Sequence, residues 1–473
     1  MFGGDLMDRD YVDEGTIAAI ATPAGEGGIG IVRISGREAV PILSRVFRDK
    51  FGRSRTSFES HKMYYGKVVS EQGEMIDEVL AVVMLSPRSY TGEDVSELHC
   101  HGGRMVLHSV LEEVLRQGAR LAGPGEFTKR AFVNGRLDLA QAESVMDVIR
   151  SKTKQSLKLA LGGLSGRLSA RIRETMNSLV QVVAHIEASI DFPEDDIDEL
   201  EAASIRESLR SSISEVEAMI SEAARGKIYR DGVSVVIAGR PNVGKSSLFN
   251  ALVRERRAIV TDIPGTTRDV IEEYVNLSGV PVRLMDTAGI HETEDVVERE
   301  GVSRSRELLG RTDVTVYVVD ASDAATGVNL DDDIQMLNAL PKDETILVLN
   351  KIDLAAGQVD AQLYGDAAPE VVVKTSAATG EGLDELEQAI VQVVTKGHFS
   401  AGEVVVTNAR HEDALRRCKS HLEDALSALE RSVPHDLIVI DIREGLSALG
   451  EITGDTVDED VIDRIFSDFC VGK

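Results

Sequence analysis

The chain has 473 residues, of which 42% are hydrophobic and 28% charged, and its formal net charge is −28. At roughly 100–200 residues per domain, this length predicts two to four globular domains. No apolar run reaches the ~20 residues of a membrane span, the polar N-terminus is no secretory signal, and three scattered cysteines indicate no disulfide framework. We therefore expect a cytoplasmic protein. The acidic excess disfavours general nucleic-acid binding, so an RNA contact requires a local basic patch or a partner protein.

The N-terminal part has the alternation typical of strands. Four short runs, TIAAIAT, GIGIVRIS, YYGKVV and EVLAVVMLS, are separated by glycine-rich or polar turns. His99 to Gln117 resembles the end of a strand, a Gly-Gly turn and a helix. These features predict a separate α+β domain over residues 1–125.

From residue 126 the pattern becomes helical. Apolar residues from Leu157 to Ile186 recur every three or four positions, which predicts one long amphipathic stripe. A second helical run covers Ser204 to Arg225. These two helices need apolar partners, and the runs from Arg410 to Arg431, Leu437 to Leu449 and Val457 to Cys470 supply them.

Between the helical parts, Val233 to about Val394 alternates β runs with helices, which indicates a parallel, doubly wound sheet. The predicted fold class is therefore multidomain: an α+β N-terminal domain, an all-α helical domain and an α/β P-loop domain of Ras-like type inserted into it. The predicted boundaries are residues 1–125, 126–228 (helical, first part), 229–396 (inserted) and 397–473 (helical, second part).

The inserted domain opens with a phosphate-binding loop. The buried-strand run 233–238 leads into G-x(4)-G-K-S at residues 239–246, and an apolar helix follows. In this motif, backbone N–H groups surround the phosphates, Lys245 reaches the β and γ oxygens, and Ser246 ligates Mg²⁺.

Further motifs, in the expected order, specify a guanine nucleotide. Asp286-Thr287-Ala288-Gly289 follows a strand and suits a water-mediated Mg²⁺ contact and a γ-phosphate sensor. Asn350-Lys351-Ile352-Asp353 follows another, and Asp353 can accept the N1 and N2 protons of guanine. Thr375-Ser376-Ala377 offers a backbone amide to O6, and in Gly265-Thr266-Thr267 the last threonine can close on Mg²⁺.

One position departs from Ras-like enzymes. The residue after Gly289 is Ile290, where those enzymes have the glutamine that orients the attacking water. Hydrolysis then needs another positive charge and another residue to position the water. A monovalent cation near Asn242 and a carboxylate of the segment 292–300 are the candidates.

These motifs, together with ATP-x-G-x-GGIGIVRISG, SYTGEDVSELHCHGG, PGEFTKRAFVNGRLDLAQAE, DFPEDD and the tail Phe469-Cys470-Val471-Gly472-Lys473, resemble the MnmE (TrmE) family of bacterial tRNA modification GTPases over nearly the whole chain. The resemblance implies a folate-binding, dimerising N-terminal domain and a K⁺-activated GTPase domain whose hydrolysis depends on dimerisation. It implies the following GTP-binding positions: Asn242, Val243, Gly244, Lys245, Ser246, Ser247, Thr261, Asp262, Ile263, Pro264, Gly265, Thr266, Thr267, Asp286, Thr287, Ala288, Gly289, Asn350, Lys351, Asp353, Ser376 and Ala377.

The resemblance also implies individual roles. Ser246 and Thr267 bind Mg²⁺, and Lys245 contributes to catalysis. Glu298 positions the attacking water. The K⁺ ligands are Asn242, Thr261, Ile263 and Thr266, and the folate-binding residues are Arg33, Glu97, Arg136 and Lys473.

Two interpretations of Cys470 remain open. Lys473 nearby can lower the pKa of its thiol and favour a catalytic thiolate. Alternatively, Cys470 packs as a small apolar residue beside Phe466 and Phe469.

The family's reaction adds a carboxymethylaminomethyl or aminomethyl group to C5 of the wobble uridine (position 34) of certain tRNAs. The resemblance implies a homodimer that forms a heterotetramer with the flavin-containing MnmG (GidA) protein, which carries FAD, and no membrane contact. The implied cofactors are GTP, Mg²⁺, K⁺ and a tetrahydrofolate derivative, either 5-formyl- or 5,10-methylene-tetrahydrofolate. The alternatives are a regulatory GTPase switch in ribosome assembly or stress response and a folate-binding scaffold with a vestigial GTPase.

Overall fold

The structure is a computed structural model that describes residues 15–191, 199–256, 271–286, 312–355, 360–395, 406–431 and 433–473. The chain divides into two compact units, Met1–Met146 with Leu449–Lys473, and Asp147–Ala448. No helix within the described ranges combines the length and apolar character of a membrane span.

The described strands are β1 Ile17–Ile20, β2 Gly27–Ser35, β3 Phe47–Asp49, β4 Met63–Val69, β5 Met75–Met84, β6 Val95–Gly102, β7 Arg120–Leu121, β8 Val233–Ala238, β9 Ile271–Leu277, β10 Val280–Asp286, β11 Val314–Asp320, β12 Thr345–Asn350 and β13 Val371–Lys374. The described α-helices are α1 Ala39–Val46, α2 Arg104–Arg116, α3 Glu126–Val133, α4 Leu139–Arg150, α5 Lys154–Leu164, α6 Arg167–Asp191, α7 Glu199–Asp231, α8 Lys245–Arg256, α9 Ala321–Thr326, α10 Leu330–Asn338, α11 Leu383–Thr395, α12 Ala409–Glu430, α13 His435–Thr453 and α14 Glu459–Ser467.

The first unit contains a seven-stranded sheet with the order β3-β4-β5-β6-β2-β1-β7. Its neighbours pair antiparallel, except that β7 runs parallel to β1. Alternate side chains of β2, such as Val32 and Ile34, are buried against residues of α1 and α2, including Leu43 and Val110. The α+β prediction for this part of the chain is confirmed.

Helices α3, α4 and α14 add a smaller core to the first unit. Leu139 and Met146 of α4 pack with Ile462 and Phe466 of α14 and with Phe469 beyond it. The end of the chain therefore belongs to the same compact unit as the seven-stranded sheet. The domain boundaries stated above remain a prediction.

In the second unit, the expectation of one continuous stripe from Leu157 to Ile186 is wrong. The helix stops at Leu164, and α6 begins at Arg167 after a turn in which Gly166 has φ 81°. Helix α5 starts with a capping box, in which Thr153 Oγ1 accepts from Ser156 N and Ser156 Oγ accepts from Thr153 N. A helix of 11 residues and a separate helix of 25 residues thus replace the one continuous helix that was expected.

Longer helices complete the all-α part of the second unit. Arg171 of α6 forms ion pairs with Glu215 and Glu222 of α7, and Arg210 of α7 pairs with Glu430 of α12. The predicted pairing of early and late helices is present, because α7 packs along both α6 and α12.

The sheet of the second unit has the order β13-β12-β11-β8-β10-β9. Five strands are parallel, as predicted, and β9 adds an antiparallel edge through a hairpin with β10. Every residue of β8, β11 and β12 is buried, as expected for central parallel strands covered on both faces.

The chain enters and leaves this α/β part at adjacent points. Helix α7 ends at Asp231 and β8 begins at Val233, and the returning chain passes α7 at Val406. A Cβ on Gly226 would lie 1.9 Å from the carbonyl oxygen of Val406, so the approach requires a glycine. Adjacent entry and exit are what an inserted domain needs.

Candidate nucleotide site and folate site

The phosphate loop lies between the buried β8 and the N-terminus of α8. Gly244 has φ 100°, and a Cβ there would lie 2.3 Å from Nδ2 of Asn350. This position therefore accepts only glycine, which leaves the backbone N–H groups at the start of α8 open to an anion. Ser246 and Ser247, both in the first turn of α8, are exposed.

Lys245 lies at the end of this loop and is partly buried. Its Nζ donates to the carbonyl oxygen of Arg240 at 2.8 Å. Burial lowers the pKa of Lys245, and the charge of Asp286 opposes that shift. Asp286 is itself buried at the end of β10, paired in register with Ile237 of β8. A phosphate would supply the anion that favours the ammonium form, so the loop fits a nucleotide.

Asn350 joins the phosphate loop to the predicted base-recognition loops. Its Nδ2 donates to the carbonyl oxygen of Val243 at 3.0 Å. Its Oδ1 accepts from Thr375 Oγ1 at 3.2 Å and from the amide of Ala377 at 3.1 Å. Asn350 is buried, so these three bonds hold segments far apart in sequence in one arrangement.

Lys351 also connects the predicted base-recognition loop to the phosphate loop. Its Nζ donates to the carbonyl oxygen of Asn242 and to Oδ2 of Asp320, both at 2.7 Å. Burial alone would raise the pKa of Asp320, but hydrogen bonds from Lys351 and Ser322 hold that pKa below its usual value. Asp353 lies in the following turn and is exposed, as a base-recognising carboxylate should be.

The segment Thr375-Ser376-Ala377, which was predicted to offer a backbone amide to O6 of guanine, already uses two of its amides in hydrogen bonds within the chain. The amide of Ala377 is bonded to Asn350, and the amide of Ser376 donates to the carbonyl oxygen of Glu381 at 2.9 Å. Both N–H groups are thus used within the chain, and the contact with the base stays a prediction.

Sequence reasoning missed a buried network behind the phosphate loop. Nε of Arg240 donates to Asp333 Oδ1 at 3.2 Å, and the hydroxyl of Tyr317 donates to the same oxygen at 2.9 Å. Burial raises the pKa of Asp333, while both donors lower it. The sequence feature that could have indicated this network is Arg240, a charged residue directly after Gly239.

A number of the predicted site residues lie outside the described residues: Thr261, Asp262, Ile263, Pro264, Gly265, Thr266, Thr267, Thr287, Ala288, Gly289, Ile290 and Glu298. The K⁺ ligands other than Asn242, the Thr267 ligand to Mg²⁺ and the role of Glu298 therefore stay predictions.

The four predicted folate-binding residues lie in the first unit, and two of them, Arg33 and Arg136, lie against the ring of Tyr90. Arg33 of β2 donates from Nε to Glu97 Oε1 of β6 at 2.8 Å, and His99 Nε2 lies 3.1 Å from Glu97 Oε2. The guanidinium of Arg33 lies 5.5 Å from the ring centroid of Tyr90 and 5.7 Å from that of Phe127. This packing fixes a planar cation on an aromatic surface.

Arg136 reaches the same ring. It donates to the carbonyl oxygen of Tyr90 at 2.9 Å, and its guanidinium lies 4.9 Å from the ring centroid. The planar arginine is thus held by a directed bond and by stacking, which the point charge of a lysine would not reproduce.

The C-terminal tail brings Lys473 to this cluster. Val471 pairs with Pro124, and Gly472 has φ 93° with its Cα so close to β1 that a Cβ would lie 2.4 Å from the carbonyl oxygen of Ile20. Burial and the charge of Arg33 lower the pKa of Lys473, and Glu97 opposes them. Two cations so close together fit the carboxylates of a folate.

The three cysteines differ in exposure. Cys100 and Cys418 are buried, and burial raises the pKa of each thiol to about 12. Cys470 is exposed, so it is not the packed apolar residue of the second interpretation above. Its neighbours Phe466 and Phe469 pack against each other, with ring centroids 5.1 Å apart. A catalytic role for Cys470 remains a prediction.

A buried strand, a glycine loop and a helix N-terminus, set in a largely parallel sheet, define a P-loop nucleotide-binding protein. Residues 139–470 match the family model for the MnmE helical domain, and residues 16–136 match that for the N-terminus of the GTP-binding protein TrmE. The chain belongs to the MnmE (TrmE) family of tRNA modification GTPases.

Individual relatives with similar sequences carry the name of the same family. The protein named tRNA modification GTPase MnmE from Desulforamulus reducens is 48% identical over 464 residues, covering 97% of this chain and 99% of the relative. Proteins of the same name from Carboxydothermus hydrogenoformans (48% identical, 97% and 100% covered) and Bacillus subtilis (47% identical, 97% and 100% covered) are similar over the same extent. The solved G domain of the Thermotoga maritima FeoB iron transporter is 32% identical over 34% of this chain and 98% of its own, with a TM-score of 0.26.

Proposed function

We propose that this chain is a GTP hydrolase that acts in tRNA modification. With a flavin-containing partner, it adds a carboxymethylaminomethyl or aminomethyl group to C5 of uridine 34, using the one-carbon unit of a tetrahydrofolate. The observation that carries the proposal is the coexistence, in one chain, of the phosphate loop joined to Asn350 and the Arg33–Glu97–Lys473 cluster. The relatives named for tRNA modification support the substrate class.

The residues of the nucleotide site divide the work. Lys245 and the N–H groups at the start of α8 bind the phosphates, and Asp353 recognises guanine. Ser246 and Thr267 would hold Mg²⁺, which neutralises charge on the phosphates. K⁺, held by Asn242 with Thr261, Ile263 and Thr266, would supply the positive charge that an arginine supplies elsewhere.

Glu298 would orient the attacking water, because Ile290 has no polar group with which to do so. The K⁺ site would be completed when the GTPase domains of a homodimer meet. Hydrolysis then sets the timing of the modification and does not form the new bond.

In the folate site, Arg33 and Lys473 would bind carboxylates, Glu97 would accept from the ring system, and Arg136 with Tyr90 would form the flat wall. Cys470, which is exposed and lies on the same tail as Lys473, would act on the one-carbon unit. A cytoplasmic location goes with this proposal, since mature tRNA is modified there.

Nucleoside analysis of tRNA from cells that lack the chain tests the proposal. We expect loss of the modified wobble uridine, with restoration by the unaltered gene and not by a Lys245→Ala variant. An unchanged nucleoside profile would favour a regulatory switch without modification chemistry.

A further inference from the structure

A long segment of this acidic chain contains no acid. Residues 148–173 include seven basic residues: Arg150, Lys152, Lys154, Lys158, Arg167, Arg171 and Arg173, and no Asp or Glu. With 80 acids in 473 residues, an average segment of these 26 positions would hold about four (26 × 80/473). The segment covers the end of α4, all of α5 and the start of α6, so its positive charge is concentrated in one region of the fold.

Helix α5 presents part of this charge on one exposed face. Lys154, Leu157, Lys158 and Leu161 are three or four positions apart, so they lie on the same side of the helix. Leu157 is 38% and Leu161 47% exposed, and both lysines are exposed. These are two of the leucines that the periodicity predicted to be buried. We call these four residues the α5 surface.

The two lysines of the α5 surface have no acidic partner within the described residues. Other cations of the segment are engaged: Arg171 pairs with Glu215 and Glu222, and Lys152 lies over the ring of Tyr274. Lys154 and Lys158 are therefore available to an external anion. They are separated by one helical turn, about 6 Å along the axis.

The α5 surface is fixed to the nucleotide-binding sheet. Thr153, the N-cap of α5, donates from Oγ1 to the carbonyl oxygen of Gly279 at 2.8 Å. Gly279 forms the turn between β9 and β10, and β10 ends at Asp286 in the nucleotide site. A ligand on this surface would thus be held at a defined place relative to that sheet.

We propose that the α5 surface binds the phosphate backbone of tRNA, an inference that rests on the proposed function. Charge complementarity argues for a polyanion, since two lysines without an acidic partner among the described residues lie in a stretch of sequence that contains no acid, within a strongly acidic protein. RNA carries a phosphate at every nucleotide, so cations on successive turns meet one whatever the base sequence. The leucines between them offer apolar area to riboses and unstacked bases.

The test is the salt dependence of tRNA affinity, measured with the full chain and total tRNA. Lys154→Gln/Lys158→Gln should reduce the slope of log K against log salt by about 1.4 to 1.8, at 0.7–0.9 per phosphate contact. Between 50 and 200 mM salt, the affinity of the unaltered chain should then fall about tenfold more than that of the variant. Glutamine preserves the helix, and a matching thermal transition checks the fold.

The matched control is Lys62→Gln/Lys419→Gln, which changes the net charge equally. These lysines pair with Glu59 and Glu217, so we expect no change in slope. An equal loss in both double variants would show a net-charge effect and overturn the proposal. So would the absence of tRNA binding by the unaltered chain, or binding of poly-glutamate without binding of tRNA.

The outcomes separate this proposal from the proposed function. If the slope falls as stated but cells lacking the chain keep their wobble-uridine modification, the α5 surface stands and the function fails. If the modification is lost but the slope is unchanged in the variant, the function stands and the α5 surface does not bind tRNA.

Discussion

Replacing Asn350 by Ala should loosen the nucleotide site without touching a phosphate-binding group. The substitution removes three hydrogen bonds: Nδ2 to the carbonyl of Val243, and Oδ1 to Thr375 and Ala377. Each is worth about 1 kcal/mol net, so the sum is about 3 kcal/mol. This loss lowers either the free energy of unfolding or the nucleotide affinity, by roughly 100-fold if it falls wholly on affinity.

The assay pairs a fluorescent GDP analogue, for affinity, with urea unfolding of the full chain, for stability. Thr375→Val is the graded control, because it removes one of the three bonds and should cost about 1 kcal/mol. If Asn350→Ala changes both quantities together by less than Thr375→Val does, the three bonds do not organise the site as described.

GTP hydrolysis should be about tenfold or more faster in K⁺ than in Na⁺, because Ile290 leaves the site without its usual polar aid; equal rates would refute the cation proposal. Asp353→Asn should weaken GTP binding by roughly 100-fold and favour xanthosine triphosphate, and a retained GTP preference would refute base recognition by this carboxylate. Gly472→Ala should abolish folate binding, since its Cβ would clash with Ile20, whereas Gly73→Ala has a similar positive φ in open space and should leave binding intact. Folate binding should weaken with rising pH at a lower pH than for an ordinary lysine, because the pKa of Lys473 is lowered; an unchanged pH profile in Lys473→Arg would contradict this assignment.

The nucleotide site was predictable because its residues follow strands. Asp286 and Asn350 each end a parallel strand, and the carboxyl ends of such strands meet at one edge of the sheet. The motifs and the buried runs together therefore predict the edge of the sheet at which these residues lie. What they could not give is the contact of Asn350 with Val243, which joins positions 107 residues apart through a side-chain geometry that no spacing reveals.

The prediction of one continuous helical stripe from Leu157 to Ile186 was wrong because apolar periodicity does not show where a helix ends. Leu157 and Leu161 continue the apolar spacing of the following helix, yet the turn at Gly166 separates them from it and both are exposed. A three-to-four spacing defines a face and does not say whether another element covers that face. The short strand Phe47–Asp49 was missed for a related reason, because three residues carry too little alternation to be recognised.

The hairpin of β9 and β10 connects these separate features. The loop with Thr266 and Thr267 precedes β9 in sequence, and Asp286 ends β10, so both segments that are predicted to contact the nucleotide adjoin the same hairpin. Its turn is held at the other end by two side chains, Thr153 on Gly279, and Ser278, whose Oγ donates to Glu387 of α11 at 2.8 Å. Since Thr153 caps α5, the α5 surface is joined by one hydrogen bond to the same hairpin whose second strand ends at Asp286 in the nucleotide site.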